Sequence, residues 1–385
     1  MQVYVEAGRV HNLNTGLNYT TIQEAINANE TLDGHTICVD AGIYHEALRV
    51  NKSLSLTGAN RNATIIDGNF SLATLVTITA NNTTISNVTI RNSYYGIEWQ
   101  YNLSNVVISK NVITNISGVG IYVGSNGRIV DNIMEDNWCC ISSYGGNNNT
   151  IVGNTLVHSS NVALSFGYAG FDEPNIVWSN NVINNNRSIY NYESVTELNS
   201  DYPIGGNYWS ECEGIDKYSG PYQNESGSDG IGDTPYIVDQ YTVDHYPLMG
   251  AFYGPWKAET GELNVISNST VSDFWLTYDA VWGAGTFLHD VSFDVSGDTG
   301  TNGFCRVHIP FDLFNGTYRV LVNGAEVPYA LLPCSNSTDS YLYFTYTHST
   351  KKVEITPEFP SFLVLPLFMI ATLLVMLVYK GKHLT

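Results

Sequence analysis

Three aspartates in a glycine-rich stretch have the residue types and the spacing for cation chemistry. Asp229 and Asp233 flank Gly230-Ile231-Gly232, and Asp216 precedes them. Carboxylate oxygens on a tight turn suit calcium, whereas magnesium gives up its water less readily. An EF-hand loop would need a Glu at its twelfth position, where this chain has Gln240. The stretch therefore predicts either a calcium site at Asp216, Asp229 and Asp233 or a purely structural turn.

A second group of candidate residues is aromatic. Tyrosines and tryptophans recur in or beside short apolar segments in the first half of the chain, among many Asn side chains. Aromatic faces can stack on sugar rings while nearby polar groups orient the ligand by hydrogen bonds. The alternative is that these rings pack within the fold. The interpretation as a binding face predicts a carbohydrate site at Tyr94, Tyr95, Trp99, Tyr122 and Tyr144.

The elements that would position these side chains come from an internal repeat. Similar short apolar segments recur about every 22 residues, and each is followed by a second short strand, which is typical of a stacked solenoid. The repeat predicts a right-handed parallel β-helix. Its Asn residues are expected to form one ladder on left-handed turns, with the members Asn87, Asn111, Asn132, Asn154 and Asn181.

The composition excludes one class of partner. The 385 residues include 16 Lys and Arg against 36 Asp and Glu, a formal net charge of −20. Because binding to phosphates requires clustered cations, no nucleic acid partner is expected. Asn is the main uncharged polar residue, with 41 copies, and 32 of them precede residue 192. The chain also has 16 Asn-x-Ser/Thr sequons, which favour a glycosylated exterior.

Both ends of the first domain carry capping patterns. Thr21 and Glu24 form a capping-box pattern that predicts a short helix, with Ile22, Ala25 and Ile26 covering the first rung. At the other end, an apolar lid over the last rung is expected from Trp209, Tyr208, Tyr236, Tyr246 and Leu248.

The pattern changes after this domain. Residues 255–356 alternate apolar and polar side chains between Gly, Asn, Asp and Pro turns, which predicts an antiparallel β-sandwich of the immunoglobulin-like kind. Asn323-Gly324 is the expected turn of a hairpin. Cys305 and Cys334 could pair or remain free, whereas the adjacent Cys139 and Cys140 are expected to be free core thiols.

The C-terminal segment indicates a membrane anchor. Residues 361–379 are apolar and uncharged, long enough for one transmembrane helix, and Lys380 and Lys382 follow. This predicts a single-pass protein of the cell membrane with most of the chain outside. The opening residues show no signal peptide. A trimmed or misassigned start is favoured over a tail-anchored protein with its bulk in the cytosol.

Two stretches carry a family resemblance. TIQEAI, VDAGIYHEALRVNKSLSLTGAN and TIIDG resemble the start of pectin-lyase-like β-helix proteins, and GNYWS, SDGIGDTPY and DHYPL resemble the closing segment of NosD-like proteins. The resemblance covers residues 1–250, with residues 205–249 as the closing segment, and is typical of archaeal surface proteins. It implies copper binding by family label, for which His245, Met249 and Cys212 are the local candidates.

The catalytic motifs of pectin-lyase-like enzymes are missing from the sequence. The five Gln residues are never followed by Asp, as the pectin methylesterase pair requires, and no polygalacturonase-type Asp pair occurs. Fold membership alone is an analogy. The leading hypothesis is a non-catalytic, membrane-anchored surface protein that binds carbohydrate or a divalent metal. The alternatives are a polysaccharide lyase or hydrolase and a cell-envelope scaffold.

Overall fold

The computed structural model describes residues 9–168, 173–240, 242–258, 261–281, 285–311, 313 and 317–358. The chain divides into two compact units, residues 1–254 and 255–385, and each is described by itself. The predicted transmembrane segment at residues 361–379 lies outside the described residues. Within the described ranges, no helix is long and apolar enough to cross a membrane.

The first unit consists almost entirely of short strands. Among its described residues are the helix α1 (Ile22–Asn27) and the strands β1 (Val10–Asn12), β2 (Leu17–Tyr19), β3 (Thr36–Val39), β4 (Gly42–Tyr44), β5 (Leu48–Val50), β6 (Ser55–Gly58), β7 (Thr64–Asp67), β8 (Thr74–Ile78), β9 (Thr84–Ser86), β10 (Thr89–Trp99), β11 (Val106–Ser109), β12 (Val112–Tyr122), β13 (Gly127–Val130), β14 (Ile133–Glu135), β15 (Cys139–Tyr144), β16 (Thr150–Val152), β17 (Thr155–Val157), β18 (Val162–Gly167), β19 (Asn175–Trp178), β20 (Asn181–Ile183), β21 (Ile189–Tyr192), β22 (Thr196–Glu197), β23 (Tyr208–Trp209), β24 (Tyr218–Ser219), β25 (Glu225–Ser226), β26 (Tyr236–Asp239) and β27 (Thr242–Asp244).

These strands form seven stacked rungs between β3 and β21. One parallel sheet runs β3-β6-β9-β11-β13-β16-β19-β22, and the antiparallel β1 and β2 extend it at the start. A second sheet holds the other two strands of each rung, which merge into the single long strands β10 and β12 in the third and fourth rungs. Equivalent apolar residues stack in register and are fully buried, as at Ile85, Ile108, Ile129 and Ile151. The predicted parallel β-helix is therefore confirmed.

The predicted single Asn ladder is wrong by one residue at both ends. Equivalent left-handed turn residues are Asn87, Lys110, Asp131, Gly153 and Ser179, with φ between 54° and 69°. The interior ladder uses the residue after each of these from Lys110 onward. Its members are Asn111, Asn132, Asn154, Asn180 and Asn207, each with no exposed surface. The residue that adopts the left-handed backbone and the residue that supplies the amide are thus different.

The interior ladder repeats one hydrogen-bond pattern. Asn132 Oδ1 accepts from Asn111 N at 3.0 Å and from Asn111 Nδ2 at 3.1 Å. Asn132 Nδ2 in turn donates to Asn154 Oδ1 at 2.9 Å and to Ile108 O at 2.9 Å. Each amide therefore satisfies backbone groups that the turn leaves without strand partners, inside a core where an unmade bond is costly.

The structure confirms the cap at the first rung and shows how the last rung is closed. Helix α1 buries Ile22, Ala25 and Ile26, and the Thr21 side chain accepts from Glu24 N. At the far end, Trp209 is fully buried and stacks on Tyr236, with ring centroids 4.7 Å apart. Leu248 is also buried, whereas Tyr208 and Tyr246 are partly exposed. Fewer of the predicted lid residues are buried than expected, because Tyr208 and Tyr246 keep part of their surface in contact with solvent.

The second unit contains two antiparallel five-stranded sheets, as expected for a sandwich. Their strands are β28 (Ala251–Ala258), β29 (Gly261–Ser267), β30 (Thr270–Val281), β31 (Gly285–Ser296), β32 (Asn302–Pro310), β33 (Thr317–Val322), β34 (Ala325–Glu326), β35 (Tyr329–Leu331), β36 (Asp339–Thr347) and β37 (Lys351–Glu358). The hairpin turn at Asn323-Gly324 is confirmed, since both residues have positive φ and Val322 pairs with Ala325. Cys305 and Cys334 are free, and Cys139 and Cys140 are buried free thiols as expected.

Candidate functional site

Eight tyrosines lie on or directly beyond the outer face of the second sheet in the third to seventh rungs. We call them the tyrosine band, with the members Tyr94, Tyr95, Tyr101, Tyr122, Tyr144, Tyr168, Tyr190 and Tyr192. Their strands β10, β12, β15, β18 and β21 pair in this order, so the band crosses five successive rungs. The paired residues Ile97, Ile121, Ile141, Leu164 and Ile189 fill the interior. Because side chains alternate along each strand, Tyr122, Tyr144, Tyr190 and Tyr192 face outward.

The rings of the band contact one another edge to face. Tyr144 and Tyr168 have ring centroids 5.1 Å apart, and Tyr168 and Tyr192 are 5.2 Å apart. In the third and fourth rungs, the ring centroid of Tyr95 lies 4.7 Å from that of Tyr94 and 6.3 Å from that of Tyr122. This perpendicular arrangement is the one that aromatic quadrupoles favour. It holds the rings in place while four of these six rings, those of Tyr94, Tyr144, Tyr168 and Tyr192, remain exposed to solvent.

Tyr122 in the fourth rung interacts electrostatically with Tyr144 in the fifth. Burial is the main cause that raises the pKa of Tyr122, and a hydrogen bond with Tyr101 adds to it, with the hydroxyl oxygens 2.9 Å apart. The nearby phenol of Tyr144 also raises this pKa. The Tyr122 phenol consequently stays protonated and can both donate and accept hydrogen bonds at neutral pH.

Trp99 departs from the predicted binding face. Only 3% of its surface is exposed. Its ring fills the space beside Gly124 and Gly127, and its Nε1 donates to Ser125 O at 3.4 Å. Alternation along the strand explains the difference, because Trp99 is two residues after the inward-facing Ile97. Tyr94, Tyr95, Tyr122 and Tyr144 are on the exterior.

Four members of the band lie outside the predicted carbohydrate site, namely Tyr101, Tyr168, Tyr190 and Tyr192. Tyr168 adopts a left-handed backbone with φ 54°, which an isolated sequence does not reveal. The side chain of Tyr144 lies over Gly167, where a Cβ would come within 2.6 Å of the ring. A usable signal was the Tyr that ends three successive second strands or follows them directly, in CISSY, SFGY and IYNY.

A small buried cluster of apolar side chains lies beside the band. Val119, Cys139 and Val162 form a buried cluster against which Tyr95 and Tyr122 pack. Burial raises the pKa of the Cys139 thiol to about 12. Because the thiolate is the reactive form of cysteine, this residue acts as an apolar packing group.

The predicted metal residues are held in a turn by backbone donors. Asp216 Oδ1 and Oδ2 accept from Asp229 N and Gly230 N at 2.9 and 2.8 Å. Asp233 likewise accepts from Lys217 N and Tyr218 N, at 3.0 and 3.1 Å. Burial raises the pKa of Asp216 to about 7, and the charges of Asp229 and Asp233 add to the rise. The turn thus brings three carboxyl groups into one short segment, and the side-chain oxygens of Asp216 and Asp233 already accept hydrogen bonds from backbone N–H groups.

Other ligand clusters are few in the described part of the chain. One group of three possible ligands is found there, Glu135, Asp136 and His158, and all three are exposed. His158 Nδ1 lies 3.9 Å from Asp136 Oδ1. Within the described residues, the predicted calcium ligands Asp216, Asp229 and Asp233 do not join such a group, and neither do the copper candidates His245 and Cys212. Copper binding stays a prediction from the resemblance.

Parts of the chain are similar in sequence to known proteins. Residues 74–215 match the family model of the right-handed β-helix region, in agreement with the predicted handedness. A cell surface glycoprotein of Methanothermus fervidus is 35% identical over 181 residues, covering 44% of this chain and 30% of that protein. The chain therefore spans less than a third of this curated relative.

Solved structures show only distant likeness. A pectin methylesterase from carrot is 16% identical with a TM-score of 0.34, over 44% of this chain and 61% of the enzyme. A tailspike protein of Acinetobacter baumannii bacteriophage Fri1, a capsular polysaccharide depolymerase, is 11% identical with a TM-score of 0.30, over 83% of this chain and 79% of the tailspike. Likeness at this level carries no functional argument.

Proposed function

We propose that this chain is a non-catalytic, cell-surface β-helix protein of the NosD-like type that binds carbohydrate on its tyrosine band. The band carries the proposal, because eight tyrosines on five consecutive rungs place aromatic rings and phenol hydroxyls on one outer surface. The part of each ring that stays in contact with water contributes no burial free energy to folding. Tyr144 and Tyr168 are 40% and 53% exposed, which favours an interaction role.

The surface location rests on two supports. The relative over 181 residues is a cell surface glycoprotein. The sequence of residues 361–379 is apolar and uncharged over the length that a single-pass anchor requires. Carbohydrate of the cell envelope, or of another cell, is then the partner that the band would meet.

Replacing Tyr168 by Asn is the direct test. Asn tolerates the left-handed backbone and removes the central ring, so binding to a carbohydrate ligand should weaken about tenfold, the effect of losing one stacked aromatic. The matched control is Tyr222→Ala, which removes a ring that is 84% exposed and outside the band. The ectodomain would be screened on a glycan array, and hits measured by calorimetry.

The outcomes separate the three hypotheses. Equal losses in the two variants would remove the band from the proposal. New reducing ends or unsaturated products would establish the polysaccharide-processing alternative. An ectodomain that binds no glycan at all would favour the envelope scaffold.

The aspartate turn supports a narrower proposal, a calcium ion held near Asp216, Asp229 and Asp233. A divalent cation would relieve the mutual repulsion of these carboxylates. We expect millimolar calcium to raise the melting temperature relative to EDTA, and Asp233→Asn to abolish the difference. Glu326→Gln, in the second unit, is the control. A melting temperature indifferent to EDTA would eliminate the site.

A further inference from the structure

We infer that the tyrosine band takes an uncharged glycan chain laid across the strands, and that it discriminates against polyuronates. The inference rests on the proposed function and specifies the ligand class of the same site. Its two parts, the direction of the ligand and its charge, come from separate observations.

The direction follows from the stacking of the rungs. Tyr144, Tyr168 and Tyr192 belong to the fifth, sixth and seventh rungs. The ring of Tyr168 contacts the ring of Tyr144 on one side and the ring of Tyr192 on the other. A ligand that touches all three must therefore run from rung to rung, across the strands. A compact sugar covers one or two of these rings, whereas an extended chain can use the whole band.

The charge follows from the residues among the rings. Within the described residues of the band, from position 94 to 101, 116 to 126, 138 to 149, 161 to 168 and 187 to 193, the charged side chains are Glu98, Arg187 and Glu193. Glu193 is close enough to contribute to the raised pKa of both Tyr144 and Tyr168. Glu98 lies beside Tyr95 and accepts from Thr77 Oγ1 at 3.1 Å.

The single cation is already engaged at one end of the band. The Arg187 guanidinium lies over the ring of Tyr190, 5.4 Å from its centroid. Recognition of a carboxylate in each sugar would require an Arg or Lys in each rung, preferably one that can bind it in a bidentate manner. A polyuronate would instead meet two carboxylates with one compensating charge.

The remaining polar groups suit sugar hydroxyls. The column of positions paired across the rungs contains Glu98, Tyr122, Ser165 and Tyr190, with the buried Ser142 between Tyr122 and Ser165. Hydroxyls both donate and accept, and carboxylates accept, which matches the hydroxyl groups of a neutral sugar. Aromatic faces and hydroxyls together make the band complementary to an uncharged chain.

The test compares neutral polysaccharides with uronate polymers of matched backbone, including β-1,4-glucan oligosaccharides and their C6-oxidised glucuronate forms. We expect neutral chains to bind at least tenfold more tightly than their uronate partners, with affinity increasing with chain length until the band is filled. Glu98→Gln with Glu193→Gln should narrow the gap, by roughly threefold for each charge removed from this solvent-exposed surface. Glu326→Gln is the control for an unrelated lost charge.

The results distinguish the inference from the proposed function. Polyuronates that bind as tightly as neutral chains, and lose affinity in Tyr168→Asn, would overturn the charge selectivity and leave the binding function intact. Affinity that does not change with chain length would overturn the direction. The absence of any glycan binding would overturn the proposed function and this inference with it.

Discussion

Replacing Asn132 by alanine is expected to lower the free energy of unfolding of the β-helix by about 3–5 kcal/mol, because each buried polar group left without a partner costs about 1–3 kcal/mol. The amide makes four hydrogen bonds in a core from which it has no exposed surface. Alanine would orphan the backbone and side-chain N–H groups of Asn111 and remove a partner of Ile108 O. Denaturant unfolding followed by circular dichroism measures the loss.

The same rung provides a matched control. Asn126 also lies in an Asn-to-Asn contact, where its Oδ1 accepts from Asn148 Nδ2 at 2.8 Å, but that contact is exposed. Because Asn126 has φ 56°, the control is Asn126→Gly, which removes the amide without backbone strain. We expect a change below about 1 kcal/mol. Equal losses in the two variants would contradict the structural role of the interior ladder.

Replacing Asp244 by alanine is the second large expected loss, about 3 kcal/mol from buried donors left without an acceptor. Asp244 Oδ2 accepts from Asn207 N at 2.8 Å and from Trp209 Nε1 at 2.9 Å. Its Oδ1 accepts from Tyr246 N at 3.1 Å. The carboxylate thus terminates the interior ladder and binds the lid to it. Asp244→Asn retains one acceptor and should lose less.

Asp244 also gives stability a pH dependence. Burial raises its pKa to about 7 from the ordinary 3.8, against the lowering effect of its hydrogen bonds. The folded protein therefore holds more protons than the unfolded chain between about pH 4 and pH 7, and the contribution of this group to the free energy of unfolding falls as pH rises through that window. The slope should flatten in Asp244→Asn. An unchanged slope in that variant would assign the dependence to other groups, such as Asp216.

The repeat and the caps could be predicted from sequence because they depend on local patterns. Apolar alternation marks the strands, and Thr21 with Glu24 marks the start of α1. The register of the Asn ladder could not be predicted, because Asn also occurs next to the ladder position, at the left-handed residue Asn87 and after the ladder residue at Asn181. Only pairing between rungs shows that Asn180, and not Asn181, points inward.

The outer face that carries the tyrosine band was predictable in outline for the same reason. Tyr94 and Tyr144 lie in second strands that the repeat identifies. Trp99 was misplaced because inward or outward orientation changes with every residue along a strand. Tyr168 was missed because its position depends on a left-handed residue and on the space above Gly167, which are properties of the stacked rungs.

The hydrogen bonds of the interior ladder run in one direction along the solenoid, from each Asn to the Asn of the next rung. The number of rungs can therefore change in whole units. Every Asn in it presents the same donors to the next rung and the same acceptor to the previous one. A whole rung could therefore be duplicated or deleted between Asn132 and Asn154 without changing the hydrogen-bond complement of its neighbours. Asp244, whose carboxyl accepts from Asn207 N and Trp209 Nε1, closes the series at one fixed end. Gene-level gain or loss of repeats would then lengthen or shorten the tyrosine band while leaving both caps untouched.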